Sequence, residues 1–222
     1  NHGAFQVASK DEATLKRFGF TSVDEFNALR FLDYSLGHFF ELARKEPYFE
    51  RTIFLMYGDH GIPGTGQHQT PAQIKLHMSS YHVPFVIYAP KLFPEGRVFE
   101  TMANEVDMLP TVAGIVGLPY RYAGLGRDLF DPRYDGNRYA FTMLMDNPPL
   151  IGLVDRQYYF LTDSARGPRL FDYRSSDPAV PDLMAADPQR AERMGRLAKG
   201  LWETARYLLH HNQSERLAPT AT

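Results

Sequence analysis

The chain has 222 residues, a formal net charge of -2, 23% charged residues and no cysteine. That length can bury a sizeable core, and the near-neutral balance, with no dense Lys/Arg run, leaves no electrostatic footprint for nucleic acid. Absence of cysteine excludes disulfides, thiolate metal sites and cysteine nucleophiles, and no apolar stretch approaches the roughly 20 residues that span a bilayer.

Taken in order, Asn1-His2-Gly3-Ala4-Phe5 shows neither an initiator methionine nor a leader pattern, and the chain is expected to be a piece of something longer. Residues 1–20 read as a polar loop with a short helical turn. Thr21 or Ser22 supplies an N-cap, with Asp24 and Glu25 in the first turn of a helix reaching to about Lys45. Phe26, Leu29, Leu32, Leu36, Phe39, Phe40 and Ala43 follow at helical spacing and predict a core-facing stripe. Asp33 and His38 read as solvated or hydrogen-bonded helix residues. Pro47 ends this segment.

Thr52-Ile53-Phe54-Leu55-Met56-Tyr57 then runs straight into Gly58-Asp59-His60-Gly61. A short apolar run with no 3.6-residue period, closed by glycine, predicts a buried strand. Apolar side chains on both faces predict a parallel strand covered by helices. Ligand sites in such sheets form past the carboxyl ends of strands, and that is where Asp59 and His60 fall. A carboxylate beside an imidazole suits zinc or manganese, with Gly58 and Gly61 letting the backbone turn sharply. The same tripeptide is also ordinary turn chemistry, and on these residues alone both readings stand.

A loop rich in hydrogen-bonding groups, Ile62 to Gln69, precedes a short helix over 71–79 and a second apolar strand, Val83 to Pro90. Asp107 is expected to cap a helix from Met108 to Val116, with Pro110 in its first turn and Gly117 as its stop. Runs at 139–145, 150–154 and 157–162, separated by turn residues, predict an antiparallel meander. Pro188 to His211 predicts a long helix whose buried face carries Ala191, Met194, Leu197, Ala198, Leu201, Ala205 and Leu208. His77, His82, His210 and His211 read as solvated, structural or helix-terminal rather than as ligands. The fold class is therefore α/β, a largely parallel sheet flanked by helices over 1–135, followed by a small antiparallel meander and a final helix over 136–222.

Several of these segments together resemble one family. The strand ending Tyr57-Gly58-Asp59-His60-Gly61, then His82-Val83-Pro84-Phe85-Val86-Ile87-Tyr88-Ala89-Pro90, then Glu105-Val106-Asp107-Met108-Leu109-Pro110-Thr111 with Gly117-Leu118-Pro119, then Gly126-Arg127-Asp128-Leu129-Phe130, come in the order of the C-terminal half of sulfatase-like enzymes of the alkaline-phosphatase superfamily. Arg169-Leu170-Phe171-Asp172-Tyr173 with Asp177-Pro178 resembles a further segment near the end of sulfatases. Typical sulfatases carry Asp-Asn at the position of Asp59-His60. Asp-His is similar to the phosphotransferases of the group, lipoteichoic-acid-synthase-type phosphoglycerol transferases and phosphoethanolamine transferases. Asn1-His2 with Phe5 resembles a segment of the phosphoglycerol transferase branch, except that Ala4 replaces its proline.

The resemblance implies metal-dependent transfer or hydrolysis of a phosphodiester, with sulfuric ester hydrolysis, or a non-catalytic module of the same fold, as alternatives. It implies one divalent metal ion, manganese or zinc, with magnesium and calcium as further options, ligated by Asp59 and His60. His2 and His68 would contact the substrate phosphate. The threonine nucleophile and an acidic ligand are expected upstream, so this chain alone is expected to hold half a site and to be inactive. The implied substrate is a phosphate or sulfate ester, lipid- or glycan-linked, with no nucleic acid partner. A membrane anchor is expected upstream, with the enzyme on the extracytoplasmic face of the membrane or in the periplasm.

Overall fold

The computed structural model describes residues 12–20, 22–66, 68–117, 119–144 and 147–211. The chain divides into two compact units, 1–99 with 176–178 and 100–175 with 179–222.

The first unit holds helix α1 (Glu12–Phe18), helix α2 (Val23–Ala43), strand β1 (Phe54–Tyr57), helix α3 (Pro71–Lys75) and strand β2 (Phe85–Tyr88). Ser22 caps α2 as its sequence predicts: its hydroxyl accepts the Glu25 N–H at 3.1 Å. Thr70 caps α3 through a capping box, in which its hydroxyl accepts from Gln73 N–H while Gln73 accepts from Thr70 N–H. The predicted 71–79 helix is thereby split. His77 adopts a left-handed conformation (φ 53°), and a single 3-10 turn, Met78–Ser80, follows it.

β1 and β2 pair antiparallel, Phe54 opposite Tyr88 and Tyr57 opposite Phe85. All strand pairings among the described residues are antiparallel, which corrects the expectation of a largely parallel sheet. Apolarity on both faces reports how a strand is covered, and nothing in it encodes the direction of the neighbour. One face of this ribbon is sealed by rings. Phe40 from the end of α2 and buried Phe49 pack on Phe54 with centroids 5.2 and 5.4 Å away, and Phe40 also meets Tyr88 at 5.1 Å.

The α2 stripe departs from expectation. Among the residues of α2 only Ala43 is buried, while Leu29, Leu32, Leu36 and Phe39 remain 37–53% exposed. Helical spacing predicts that a stripe exists, and it does not supply the surface that covers it.

The second unit is a meander with a helix laid on it. Strands β3 (Ala140–Leu144), β4 (Leu150–Val154), β5 (Tyr158–Asp163) and β6 (Gly167–Asp172) lie in sequence order, each antiparallel to the next. The unpredicted strand is β6. Pro168 argues against a strand by composition, yet an edge strand tolerates proline because one row of its N–H groups takes no part in the ladder. Helix α5 (Pro188–His211) starts at the predicted proline, with Asp187 Oδ1 accepting the Arg190 N–H at 3.1 Å. Ala191, Met194, Ala198 and Leu201 of α5 bury against Leu153, Phe160 and Leu170 of the sheet. Gly195 faces the Phe160 ring, where an added Cβ would stand 3.2 Å from the ring edge, so a small residue lets the helix approach.

Helix α4 (Met108–Val116) has its predicted bounds, and Gly117 closes it with φ 72°. Asp107, however, makes no side-chain cap bond to α4. Its carboxylate is buried and accepts from Asn104 N–H (2.9 Å) and from Arg127 N–H (2.7 Å). Thr111 adds a second tie, donating to the Asp107 carbonyl (2.6 Å) and accepting from Leu129 N–H (3.0 Å). The segments Glu105–Thr111 and Gly126–Phe130 are clamped together by these bonds. At Gly126 a Cβ would stand 1.7 Å from the Val106 carbonyl oxygen, so only glycine permits the clamp to close.

Candidate metal-ligand pair at the end of β1

Strand β1 ends at Tyr57, and Asp59 and His60 stand directly beyond it, as the strand-then-glycine pattern predicts. The turn is held to the second strand by Gly58 N–H donating to Pro84 O (3.2 Å) and to the 3-10 turn by Gly61 N–H donating to Ser80 O (3.0 Å). Neither glycine has a positive φ, so the expected sharp turn is not their role. Close approach is. A Cβ on Gly61 would lie 1.8 Å from the Ser79 carbonyl oxygen, and one on Gly58 would lie 3.3 Å from Val83 Cβ. The loop can therefore press flat on its neighbours, leaving both side chains pointing out: Asp59 and His60 are 88% and 77% exposed.

Asp59 Oδ1 accepts the backbone N–H of His60 at 3.0 Å. His60 Nδ1 lies 3.0 Å from the Gly61 carbonyl oxygen, which can only accept, so Nδ1 carries the proton and Nε2 is left with its lone pair in the neutral ring. Nε2 is 4.0 Å from Asp59 Oδ1. The Gly61 carbonyl raises the imidazole pKa above its ordinary value, and the Asp59 charge raises it further.

The pair fits a divalent ion in donor chemistry. A backbone carbonyl fixing Nδ1–H is the arrangement that orients a ligating Nε2. Two donors each about 2.0–2.2 Å from one ion stand within about 4 Å of each other, and 4.0 Å is at that limit. Among the described residues no three His, Asp or Glu side chains gather as a metal-holding group, so neither His68 nor any other such side chain joins the pair there. His68 sits exposed in the turn before α3. His2 lies outside the described residues. His77 and His82 are exposed, and His38 stacks on Tyr34 with Nδ1 3.5 Å from Glu41. On its other side the loop borders a crevice of about 280 Å³ lined by Phe18, Phe20, Glu25, Ile62, Gln69 and Ser79.

The sequence reading missed the role of Asp107, the buried carboxylate of the second unit. Burial pushes its pKa up, opposed by the Arg127 and Asn104 N–H donors and by the Arg127 and Arg138 charges. The signal was present in the pairing of Asn104 with Asp107 three residues on, a capping-box spacing that closes on the preceding 3-10 turn instead of on α4.

A sulfatase family model matches residues 20–118, which includes β1, β2, the Asp59–His60 pair and α4. The chain is 30% identical over 146 residues to lipoteichoic acid synthase 1 of Bacillus subtilis, covering 61% of the chain and 22% of that protein. It is 29% identical over 142 residues to lipoteichoic acid synthase of Staphylococcus saprophyticus, covering 58% and 21%. Among solved structures, a protein assigned to the sulfatases in Bacteroides fragilis aligns with TM-score 0.63 at 17% identity, over 91% of this chain and 46% of its own. A protein in the alkaline phosphatase superfamily from Vibrio parahaemolyticus aligns with TM-score 0.57 at 23% identity, again over 91% and 46%. The chain thus spans about a fifth of its curated relatives and under half of these solved neighbours. The chain carries a sulfatase family match over residues 20–118, is similar in sequence to lipoteichoic acid synthases, and shares its fold with solved structures of sulfatase-like proteins and of the alkaline phosphatase superfamily.

Proposed function

We propose that the chain supplies the Asp59–His60 half of a metal-dependent site that transfers or hydrolyses a phosphodiester, a phosphoglycerol-type group. The observation that supports the reading is the Asp59–His60 pair itself, directly past β1 in the family-matched region, with Nδ1 of His60 tied to Gly61, which would leave Nε2 as the ligating atom. Asp59 would offer a carboxylate oxygen and His60 an imidazole nitrogen, a donor set suited to manganese or zinc. When bound, such an ion lowers the pKa of a coordinated hydroxyl nucleophile and neutralises charge on phosphoryl oxygens. His60 must be deprotonated at Nε2 to ligate, and the Gly61 carbonyl keeps its remaining proton on the far nitrogen. His2 and His68 are the proposed contacts to the substrate phosphate. The nucleophile and the remaining ligands lie, on this reading, outside this chain, in a protein anchored to the membrane with its catalytic domain on the extracytoplasmic side.

Sulfuric ester hydrolysis is the second reading, favoured by the sulfatase assignment of the matching family and fold. His60 separates the two, because the resemblance places Asp-Asn there in typical sulfatases. The test compares metal content and activity of this chain with those of a polypeptide extended to the whole domain. Cleavage of a bis-aryl phosphodiester and of an aryl sulfate is read in parallel. The expected result is one tightly held divalent ion and diester cleavage in the extended form only, both lost in Asp59→Asn and His60→Ala. Retention of stoichiometric metal and activity in either variant overturns the assignment. Cleavage of the sulfate alone selects the second reading, and absence of metal in both forms makes Asp59-His60 a turn on a non-catalytic module.

A further inference from the structure

The loop that carries Asp59 and His60 is held at two points. Gly58 N–H donates to Pro84 O (3.2 Å) at its start, and Gly61 N–H donates to Ser80 O (3.0 Å) at its end. Between them, the Asp59 carboxylate accepts the His60 N–H at 3.0 Å, a bond inside the loop. The far end of the loop is therefore oriented by the turn that presents Ser80.

That turn depends on one left-handed residue. Helix α3 is capped by Leu76, and His77 stands just after the cap, where glycine is usual, with φ 53° and ψ 37°. Histidine reaches this region more readily than most side chains, whereas a β-branched residue there is an outlier. The chain is turned back by it: His77 N–H donates to Ile74 O (3.1 Å), Ser80 N–H to His77 O (3.0 Å) and His82 N–H to Met78 O (3.1 Å). The Met78–Ser80 turn is thus tied to α3 on one side and to the residues leading into β2 on the other.

Two carbonyls of this turn meet Gly61. Ser80 O takes its N–H, and Ser79 O lies so close to its Cα that an added Cβ would stand 1.8 Å away. Gly61 is fixed at its nitrogen and its α-carbon, and its own carbonyl meets His60 Nδ1 at 3.0 Å. All the contacts from His77 to Gly61 run through backbone atoms, and the His77 side chain is exposed.

We propose that His77 is a positioning residue for His60: its left-handed backbone sets the Met78–Ser80 turn against Gly61, and Gly61 thereby keeps the His60 proton on Nδ1, leaving Nε2 as the donor atom. For its consequence the inference rests on the metal-pair reading given above, but the place of the proton is a property of the metal-free chain.

The test is ring ¹⁵N NMR of the metal-free 222-residue chain at about pH 9, about 2.5 units above the ordinary imidazole value, where the ring is neutral. His60 is identified among the eight histidines by the signals lost in His60→Gln. A solvated neutral imidazole side chain favours the proton on Nε2, so Nδ1–H at His60 reports the Gly61 carbonyl. Nδ1–H is expected in the parent chain and in His77→Gly, which keeps the left-handed backbone without the imidazole. His77→Val should move most of the His60 population to Nε2–H and speed exchange of the Gly61 amide by at least about tenfold, with the β1–β2 ladder amides still protected. His77→Ala, strained less than valine, should fall between the two and replaces His77→Val where that variant does not fold. Three outcomes overturn the inference: Nε2–H at His60 in the parent chain, an unchanged His60 in the folded valine or substitute alanine variant, or loss of Nδ1–H in His77→Gly, which would make the His77 imidazole the active part. In the polypeptide extended to the whole domain, Mn²⁺ should bind at least about tenfold more weakly to His77→Val than to His77→Gly, and equal affinities overturn the link to ligation. Absence of metal from the extended form, with Nδ1–H intact in the metal-free chain, is failure of the metal reading, while the proton placement and the role of His77 in it stand.

Discussion

The meander with its helix and the β1–β2 ribbon with α2 use similar sequence signals and end in opposite states. In the meander unit, α5 turns Ala191, Met194, Ala198 and Leu201 onto Leu153, Phe160 and Leu170, and that cluster closes with the unit's own residues. In the ribbon unit, rings from Phe40, Phe49, Phe54 and Tyr88 seal one face, while α2 keeps its stripe in solvent. Yet the chemistry-bearing pair, Asp59 and His60, sits on the unsealed unit. The difference teaches that self-sufficient packing and candidate function are divided between the two: the meander unit supplies a closed core, and the ribbon unit presents the candidate ligand pair and an exposed apolar stripe.

The largest expected effect sharpens this contrast directly. Phe160→Ala should destabilise the meander unit by about 3–5 kcal/mol through loss of a core ring, whereas Leu36→Ala on exposed α2 should cost under about 1 kcal/mol in the chain alone. Trp202, the sole tryptophan, lies on α5 and reports unfolding of the meander unit by fluorescence. Equal effects from the two substitutions would break the comparison.

Next in size is Asp107→Ala, which strands the Asn104 and Arg127 N–H donors and should cost about 2–4 kcal/mol by denaturant titration. The pH sign follows from its raised pKa. The folded chain holds this proton more tightly than the unfolded chain, so the group contributes stability below about pH 3.9 that is lost as pH rises through its folded pKa. Asp107→Asn, which keeps one acceptor, should be milder and should remove that slope. In the ribbon unit, Gly61→Ala should cost about 1–3 kcal/mol, because its Cβ runs into backbone at Ser79 that has no flexible side chain to move aside. The amides of Gly61 and neighbouring residues should lose exchange protection. The smallest effect is a titration: by NMR the His60 imidazole of the metal-free chain should titrate above about 6.5. Asp59→Asn should lower that value without returning it fully, since the Gly61 carbonyl, the larger cause, remains.

Local chemistry was legible wherever a residue acts on its own neighbours. Ser22 capping α2, Gly117 stopping α4, Pro188 opening α5 and the Asp59-His60 loop after a short apolar strand were all readable, since each depends on dihedrals and hydrogen bonds within a few residues. The buried face of α5 was legible for the same reason, its period matching the helix.

What only the tertiary structure decided involves residues brought together from afar. The antiparallel sense of β1 and β2, the Pro168-bearing edge strand β6 and the exposure of the α2 stripe depend on which neighbour arrives, and a side-chain period carries no record of that neighbour. Asp107 shows the limit most plainly: local pattern makes it a helix cap, but the buried carboxylate needs donors, and Arg127, twenty residues on, supplies its N–H at 2.7 Å. Sequence alone determined most of the elements, β6 and the break at His77 excepted, and the identity of the candidate ligands; the fold decided their partners, because desolvated donors and apolar faces must be satisfied by whatever lies across space.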